Sequence, residues 1–290
     1  MKLKILTITN TEKGSKELPS IFNENVRPDV IKRAVEAQQS HRRQPYGTDP
    51  MAGQKQKGKL SRRRRDWKCS YGHGISRVPR KIMSHRGTQF NWVGAVAPGT
   101  VGGRKAHPPK ASKQWAKSIN VRERRFAIRS AIAATLRKEL VKARGHATPG
   151  TYPFVVDNAV EALAKTKDVE KALLVLGFAD ELARSSVATR RAGIARWRGR
   201  AERGRIGPLF VVGGPCKLLS SAKNIPGVDA CEVSKLNVEL LAPGSHAGRL
   251  ALFSEAAIDA CSKNNLFSLQ SRKAKTRNAK ANPNTKPDSV

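Results

Sequence analysis

The chain has 290 residues and a formal charge of +34, from 56 Lys and Arg against 22 Asp and Glu. Its hydrophobic content of 39% is below that of a compact domain, which excludes one core running through the whole length. No apolar run approaches the roughly 18 residues a membrane-spanning helix needs, and the first nine residues lack the long apolar stretch of a secretory signal.

Residues 3–9 read as a first strand. Pro28 stands at a first helical position, and Val30, Ile31, Ala34, Val35 and Gln38 follow at helical spacing. That helix is predicted to fade near Arg43, before Pro45-Tyr46-Gly47. Some 65 residues rich in Gly, Pro and basic side chains then lead to His107-Pro108-Pro109. A compact domain rarely holds so long a connection, so it is a functional extension or a disordered one.

One long helix is predicted from Asn120 to Gly145. Asn120 and Glu123 stand at capping-box spacing, and Val121, Ile128, Ile132, Leu136 and Leu140 form one apolar stripe. Arg137, Lys138, Lys142 and Arg144 suit its C-terminal end, and Gly145 offers a left-handed cap. At 1.5 Å per residue such a helix would span about 37 Å.

Phe154-Val155-Val156 reads as a short buried strand, with Val160, Leu163 and Ala164 in a following helix. Residues 172–176 read as a short strand or a buried helix end. Gly207 to Val212 is a strand ending at Gly213-Gly214-Pro215, and Leu218, Leu219 and Ala222 fit a short helix. Ala230 to Val233 and Leu250 to Leu252 are further strands, and a closing helix covers Ser254 to Cys261. Strands alternating with helices give the fold class: α/β, a mostly parallel sheet flanked by helices in a Rossmann-like globule. The predicted division is a globule from residues 1–43 and 111–265, an extended basic loop over 44–110, and a basic C-terminal tail over 266–290.

Charge is segregated. Between His41 and Ser118 there are nineteen Lys or Arg and two acids, Asp49 and Asp66. Arg184 to Arg205 holds eight arginines and one acid, Glu202, and the last twenty residues hold six basic residues against Asp288. A stretch as long and basic as the first cannot bury enough apolar surface to offset the entropy of its own ordering. A polyanion has to hold it, and nucleic acid is the commonest.

Within that stretch, Arg62 to Arg65 offer adjacent guanidiniums for bidentate phosphate contact, and Trp67 or Tyr71 can stack on an unpaired base. The competing reading is a solvated basic patch. Ser70 to Lys81 approximates a dinucleotide fingerprint, but Arg77 occupies the third glycine position and no apolar strand leads in. Residues 101–110 join a glycine hinge to three cations and the stiff Pro108-Pro109 pair. Residues 190–200 carry arginine without lysine, the choice where planar contact or stacking is wanted. All four tryptophans (67, 92, 115 and 197) lie in the two main basic regions, either to stack on RNA or as minor core filler.

Residues 211–217 lack the spacing and Lys-Ser/Thr pair of a phosphate loop. Cysteines 69, 216, 231 and 261 form no Cys-x-x-Cys pair, so free thiols in a reduced cytoplasmic setting are expected and a zinc site is not. With no nucleophile, base or metal constellation, neither catalysis nor a cofactor is expected.

Several segments together resemble the large-ribosomal-subunit protein four family, archaeal and eukaryotic branch. They are Pro28-Asp29-Val30, Gly47-Thr48-Asp49-Pro50, Arg77-Val78-Pro79-Arg80, Gly102 to Pro109, Ile119 to Arg125, Phe126 to Thr135, and Arg191-Ala192-Gly193 with Arg198-Gly199-Arg200. The resemblance covers most of residues 1–265. It implies an α/β globule on the subunit surface, and a long loop that penetrates large-subunit rRNA and helps form the narrow part of the nascent-peptide exit tunnel. By motif position the tunnel-lining tip is Gly72, His73, Gly74, Ile75 and Arg77. Arg62 to Arg65 depart from the family pattern in being richer in arginine.

The expected rRNA-binding residues before the tip are Arg42, Arg43, Lys55, Lys57, Lys59, Arg62, Arg63, Arg64, Arg65, Trp67 and Lys68. After it come Arg77, Arg80, Lys81, Arg86, Arg104, Lys105, His107, Lys110, Lys113 and Lys117. The arginine-rich segment adds Arg190, Arg191, Arg196, Trp197, Arg198, Arg200 and Arg203. Expected partners are large-subunit rRNA, neighbouring ribosomal proteins and the nascent peptide, with no membrane. Residues 44–110 are expected to be disordered when free and ordered on RNA. The alternatives are a basic DNA-organising protein, which would present compact helices or ribbons, and an RNA-modifying enzyme, which would need a nucleotide fingerprint.

Overall fold

The computed structural model describes residues 1–55, 64–66, 69–264, 266 and 267. They fall into two units, one made of residues 1–39 with the chain from 117 onward, the other of residues 40–116. In chain order the elements begin with β1 (Lys2–Leu6), β2 (Glu12–Glu17), α1 (Pro28–His41), β3 (Arg80–Arg86) and β4 (Gln89–Gly94). Next come α2 (Val121–Leu136), α3 (Lys138–Ala143), β5 (Val155–Val156), α4 (Thr166–Val175) and α5 (Ala179–Ser186). Then follow β6 (Thr189–Arg190), α6 (Ile194–Trp197), β7 (Glu202–Arg203), β8 (Leu209–Val212) and α7 (Leu218–Ser221). The last are β9 (Asp229–Glu232), α8 (Val238–Leu241), β10 (Ala251–Ser254) and α9 (Glu255–Lys263).

In the first unit, six strands form one sheet in the order β2-β1-β5-β10-β8-β9. β2 runs antiparallel to β1, and every other neighbour is parallel. The unit is thus mixed α/β with a mostly parallel sheet. Its strand order is not that of the doubly wound dinucleotide folds, because the last strand, β10, enters between β5 and β8.

Strand periodicity of two sorts the core onto two faces. Leu3, Ile5, Val155, Leu209, Val211, Ala251 and Phe253 face a cluster with α1, α2 and α9. Leu6, Val156, Phe210, Val212 and Leu252 face the other, with Val141 of α3, Val169 and Leu173 of α4, and Leu218 of α7. Leu266 and Phe267 pack against the first cluster; the rest of the predicted basic tail lies outside the described residues.

Two expectations are corrected, those for the long helix and for the end of the first strand. The helix predicted over 120–145 is two helices broken at Arg137, whose backbone is extended. The break lets Leu136 join one face of the core and Val141 the other. It also frees the Thr135 carbonyl, which an unbroken helix would give to the amide of Glu139 and which here accepts the buried Tyr152 hydroxyl. Asn120 makes no side-chain cap; Glu123 instead pairs with Arg33 at 2.9 Å.

For residues 172–176 the helix-end reading holds: α4 runs to Val175, with Val169, Leu173 and Leu176 buried while Leu174 and Val175 face out. The first strand stops at Leu6, where Thr7 turns the chain into β2. Six polar or glycine residues disguised that exposed edge strand.

The second unit holds the hairpin of β3 and β4, joined by Gly87-Thr88 within the stretch for which the sequence suggested no strand. Phe90 and Trp92 are half-buried on β4 while Asn91 and Val93 are exposed, a short alternation diluted by the surrounding charge.

Candidate nucleic-acid interface

In the second unit, the segments at 47–53 and 103–111 run together by backbone contact. The Thr48 amide donates to the Pro109 carbonyl at 3.0 Å, and a Cβ on Gly47 would stand 2.3 Å from the Ala111 nitrogen. Gly53, with φ +74°, lies so near that a Cβ would meet the Arg104 nitrogen at 2.5 Å. No side chain fits at either position.

Cations gather on the rings of this unit. The Arg43 guanidinium lies 3.7 Å from the centroid of Trp115 and the Lys113 ammonium 4.4 Å from it, while Tyr46 stacks on the same ring at 5.8 Å. Such contacts hold cationic heads in place while leaving N–H groups for an anion. The Tyr71 ring, a candidate for base stacking, is faced by Arg64 at 5.2 Å and Arg77 at 4.4 Å. Arg80 lies over Trp92 at 6.0 Å and donates to the Ser76 hydroxyl at 3.1 Å. His73 meets Trp92 edge-on at 6.2 Å.

Gly72, His73, Gly74, Ile75 and Arg77, the residues expected at the tip, are all exposed. Arg42, Arg64, Arg65, Arg86, Lys105, His107, Lys110, Lys113 and Lys117 are exposed, and Arg80, Lys81 and Arg104 are half-buried. Lys55 is exposed but paired with Asp49 at 2.5 Å, which holds that carboxyl below its usual value. Lys57, Lys59, Arg62, Arg63, Trp67 and Lys68 lie outside the described residues.

The arginine-rich segment of the first unit is a small finger. β6 and β7 pair Thr189 with Arg203 and Arg190 with Glu202, and the Arg191 amide donates to the Ala201 carbonyl at 2.7 Å. α6 forms the turn at its end. Arg190, Arg191, Arg196, Arg198, Arg200 and Arg203 are all exposed on this one excursion. Trp197 is 89% exposed and Ile194 67%, so this tryptophan is not core filler.

Beneath the finger lies a polar floor that sequence reading missed. Glu181, 0% exposed, takes Arg184 Nε at 2.8 Å and Nη2 at 2.7 Å, the Ala147 amide at 2.9 Å and His146 Nδ1 at 2.6 Å. Burial works to raise the Glu181 carboxyl, and these hydrogen bonds outweigh it and lower it. Arg184 also donates to the Ile206 carbonyl at 2.6 Å, which ties the base of the finger to α5. Arg249, 1% exposed, binds the Gly207 and Leu240 carbonyls at 3.0 Å each and Asp229 at 2.5 Å. The one signal in the sequence was that Arg184 and Arg205 bound the arginine-rich segment.

Among the described residues no group of three His, Cys, Asp or Glu can hold a metal ion, and no helix is long and apolar enough to cross a membrane. All four cysteines are free thiols; burial pushes Cys261 up to about 11.

Residues 16–264 match the ribosomal protein L4/L1 family. The large ribosomal subunit protein uL4 of Nanoarchaeum equitans is 49% identical over 268 residues, covering 92% of this chain and 100% of that protein. The protein of the same name from Archaeoglobus fulgidus is 44% identical over 260 residues, covering 89% and 97%. That from Methanococcoides burtonii is 42% identical over 255 residues, covering 88% and 95%.

Proposed function

The chain belongs to the ribosomal protein L4/L1 family and is a structural constituent of the large ribosomal subunit; we propose that its two basic segments bind and stabilise large-subunit rRNA. The segment over 44–110 penetrates the RNA and its tip, Gly72 to Ile75 with Arg77, helps line the nascent-peptide exit tunnel. Further partners are neighbouring ribosomal proteins, and the site of action is the cytoplasmic ribosome.

The observation that carries this reading is the segregation of charge: nineteen cations against two acids in residues 41–118, beside a conventionally packed α/β unit. Cations placed among crowded phosphates release condensed counterions, and that release drives assembly. Rings stacked against Arg43, Arg77 and Arg80 cover one face of each guanidinium and leave its edge for phosphate oxygens.

Co-sedimentation with large subunits in high salt tests the assignment, and a chain that stays in the supernatant refutes it. Limited proteolysis tests the penetrating segment: cleavage within 44–110 is expected in the free chain and suppressed by rRNA. Equal protection in both states would count against it. Binding to folded rRNA fragments is expected to exceed binding to duplex DNA at matched salt.

A further inference from the structure

The first unit contains a cleft of about 980 Å³ beside the base of the arginine finger. Arg144, Arg184, Arg203, Arg205, His146 and His246 line it, and no Asp or Glu does. Glu181, which contacts the lining residues Arg184 and His146, is already engaged by them and by the Ala147 amide.

Two of the arginines are fixed before any ligand arrives. Arg144 donates to the Pro243 carbonyl at 2.7 Å and to the His246 carbonyl, which leaves three of its five N–H groups. Arg184 spends Nε and Nη2 on Glu181 and the Ile206 carbonyl and keeps Nη1. Arg203 and Arg205 are exposed, and among the described residues neither side chain has a partner. Burial, then the neighbouring charges of Arg249 and Arg184, hold Arg144 down to about 10. Arg184 has Glu181 as its counter-charge, whereas Arg144, Arg203 and Arg205 pair with no acid among the described residues, and guanidiniums are suited to phosphate oxygens.

We infer that this cleft is a phosphate-binding site, with Arg144 and Arg184 as its preorganised floor and Arg203 and Arg205 closing on the ligand. Three of the four lie outside the interface expected from sequence. The inference rests on the proposed function only for the source of the phosphate: an RNA phosphodiester, or free phosphate.

The test uses the full-length chain, Arg144→Gln with Arg205→Gln, and an in vitro transcript of large-subunit rRNA. Filter binding across a salt series should show the slope falling by about one for each cation removed. In parallel, thermal unfolding is followed in millimolar sodium phosphate and in chloride of matched ionic strength. A reduced slope with no phosphate-specific stabilisation assigns the site to RNA. Stabilisation of the unsubstituted chain by phosphate, lost in the double variant, assigns it to free phosphate.

Unchanged slope together with unchanged response to phosphate overturns the site. Because Arg144 also holds two carbonyls, Arg205→Gln alone is the second variant. Its exposed side chain carries no structural bond, and a slope and phosphate response equal to those of the unsubstituted chain overturn the proposal whatever Arg144 does. Variants that still co-sediment with large subunits but show neither effect refute the cleft and leave the ribosomal assignment standing.

Discussion

His146 Nδ1 stands 2.6 Å from Oε1 of Glu181, and both side chains are removed from solvent. The carboxylate is held from three directions: by the imidazole, by the Ala147 amide and by the fork of Arg184. Glu181→Gln keeps the shape and removes the charge, leaving Arg184 uncompensated. The expected loss is about 2–3 kcal/mol, below the usual upper figures for breaking a buried pair because Arg184 is partly exposed. Denaturant unfolding reads it directly, and a change under about 0.5 kcal/mol would show the cluster to be dispensable.

The same pair makes stability depend on pH. Burial, aided by Arg184 and Arg144, lowers the His146 imidazole, and the bond to Glu181 opposes this without reversing it. The folded state therefore favours neutral imidazole, and the unfolded chain binds the proton more readily. Stability is full above the ordinary imidazole value of about 6.5 and declines as pH falls toward the lowered folded value. Between pH 7.5 and 5.5 the loss from this group is at most about 1.4 kcal/mol. In His146→Gln that increment disappears from the difference between the two unfolding curves.

Tyr152→Phe removes the donor that satisfies the Thr135 carbonyl at the break between α2 and α3. The site is buried, so no water replaces it. A cost of about 1–2 kcal/mol is expected with little change in secondary structure by circular dichroism.

At Gly53 a methyl group meets two obstacles, positive φ and the Arg104 backbone. Gly53→Ala should open the second unit and speed protease cleavage between residues 47 and 55. Gly150→Ala, where nothing lies within 4 Å of an added Cβ, is the control and should leave cleavage unchanged.

Trp197 supports no core contact, so Trp197→Ala should leave stability within about 0.5 kcal/mol. If the ring stacks on an unpaired rRNA base, affinity for the rRNA should drop by about 5- to 150-fold, the usual range for one stacked base. Equal affinity would assign the exposed ring elsewhere.

The sequence disclosed the sheet wherever a strand was apolar on both faces, as in Leu209 to Val212, because a buried parallel strand is a continuous hydrophobic run. It concealed β2, whose Glu, Lys, Gly and Ser residues sit on an exposed edge. The break at Arg137 was hidden for a different reason: the stripe through Leu136 and Leu140 continues in register, and only Tyr152, sixteen residues from Leu136, explains where the freed carbonyl goes. The basic candidates were legible because charge is a property of composition. Glu181 and His146 were not, since a lone acid and a lone imidazole acquire meaning only when the chain brings α5 against the end of α3.

The late entry of β10 bears on how this chain is made. Strands β1 and β5 on one side, and β8 and β9 on the other, meet only through residues 251–254. A ribosome must therefore polymerise nearly the whole polypeptide before the two half-sheets can be joined. Until then every arginine and lysine of both cationic segments has already emerged, attached to a body that cannot yet close. The newborn product thus carries the charge of both segments before its sheet can be completed.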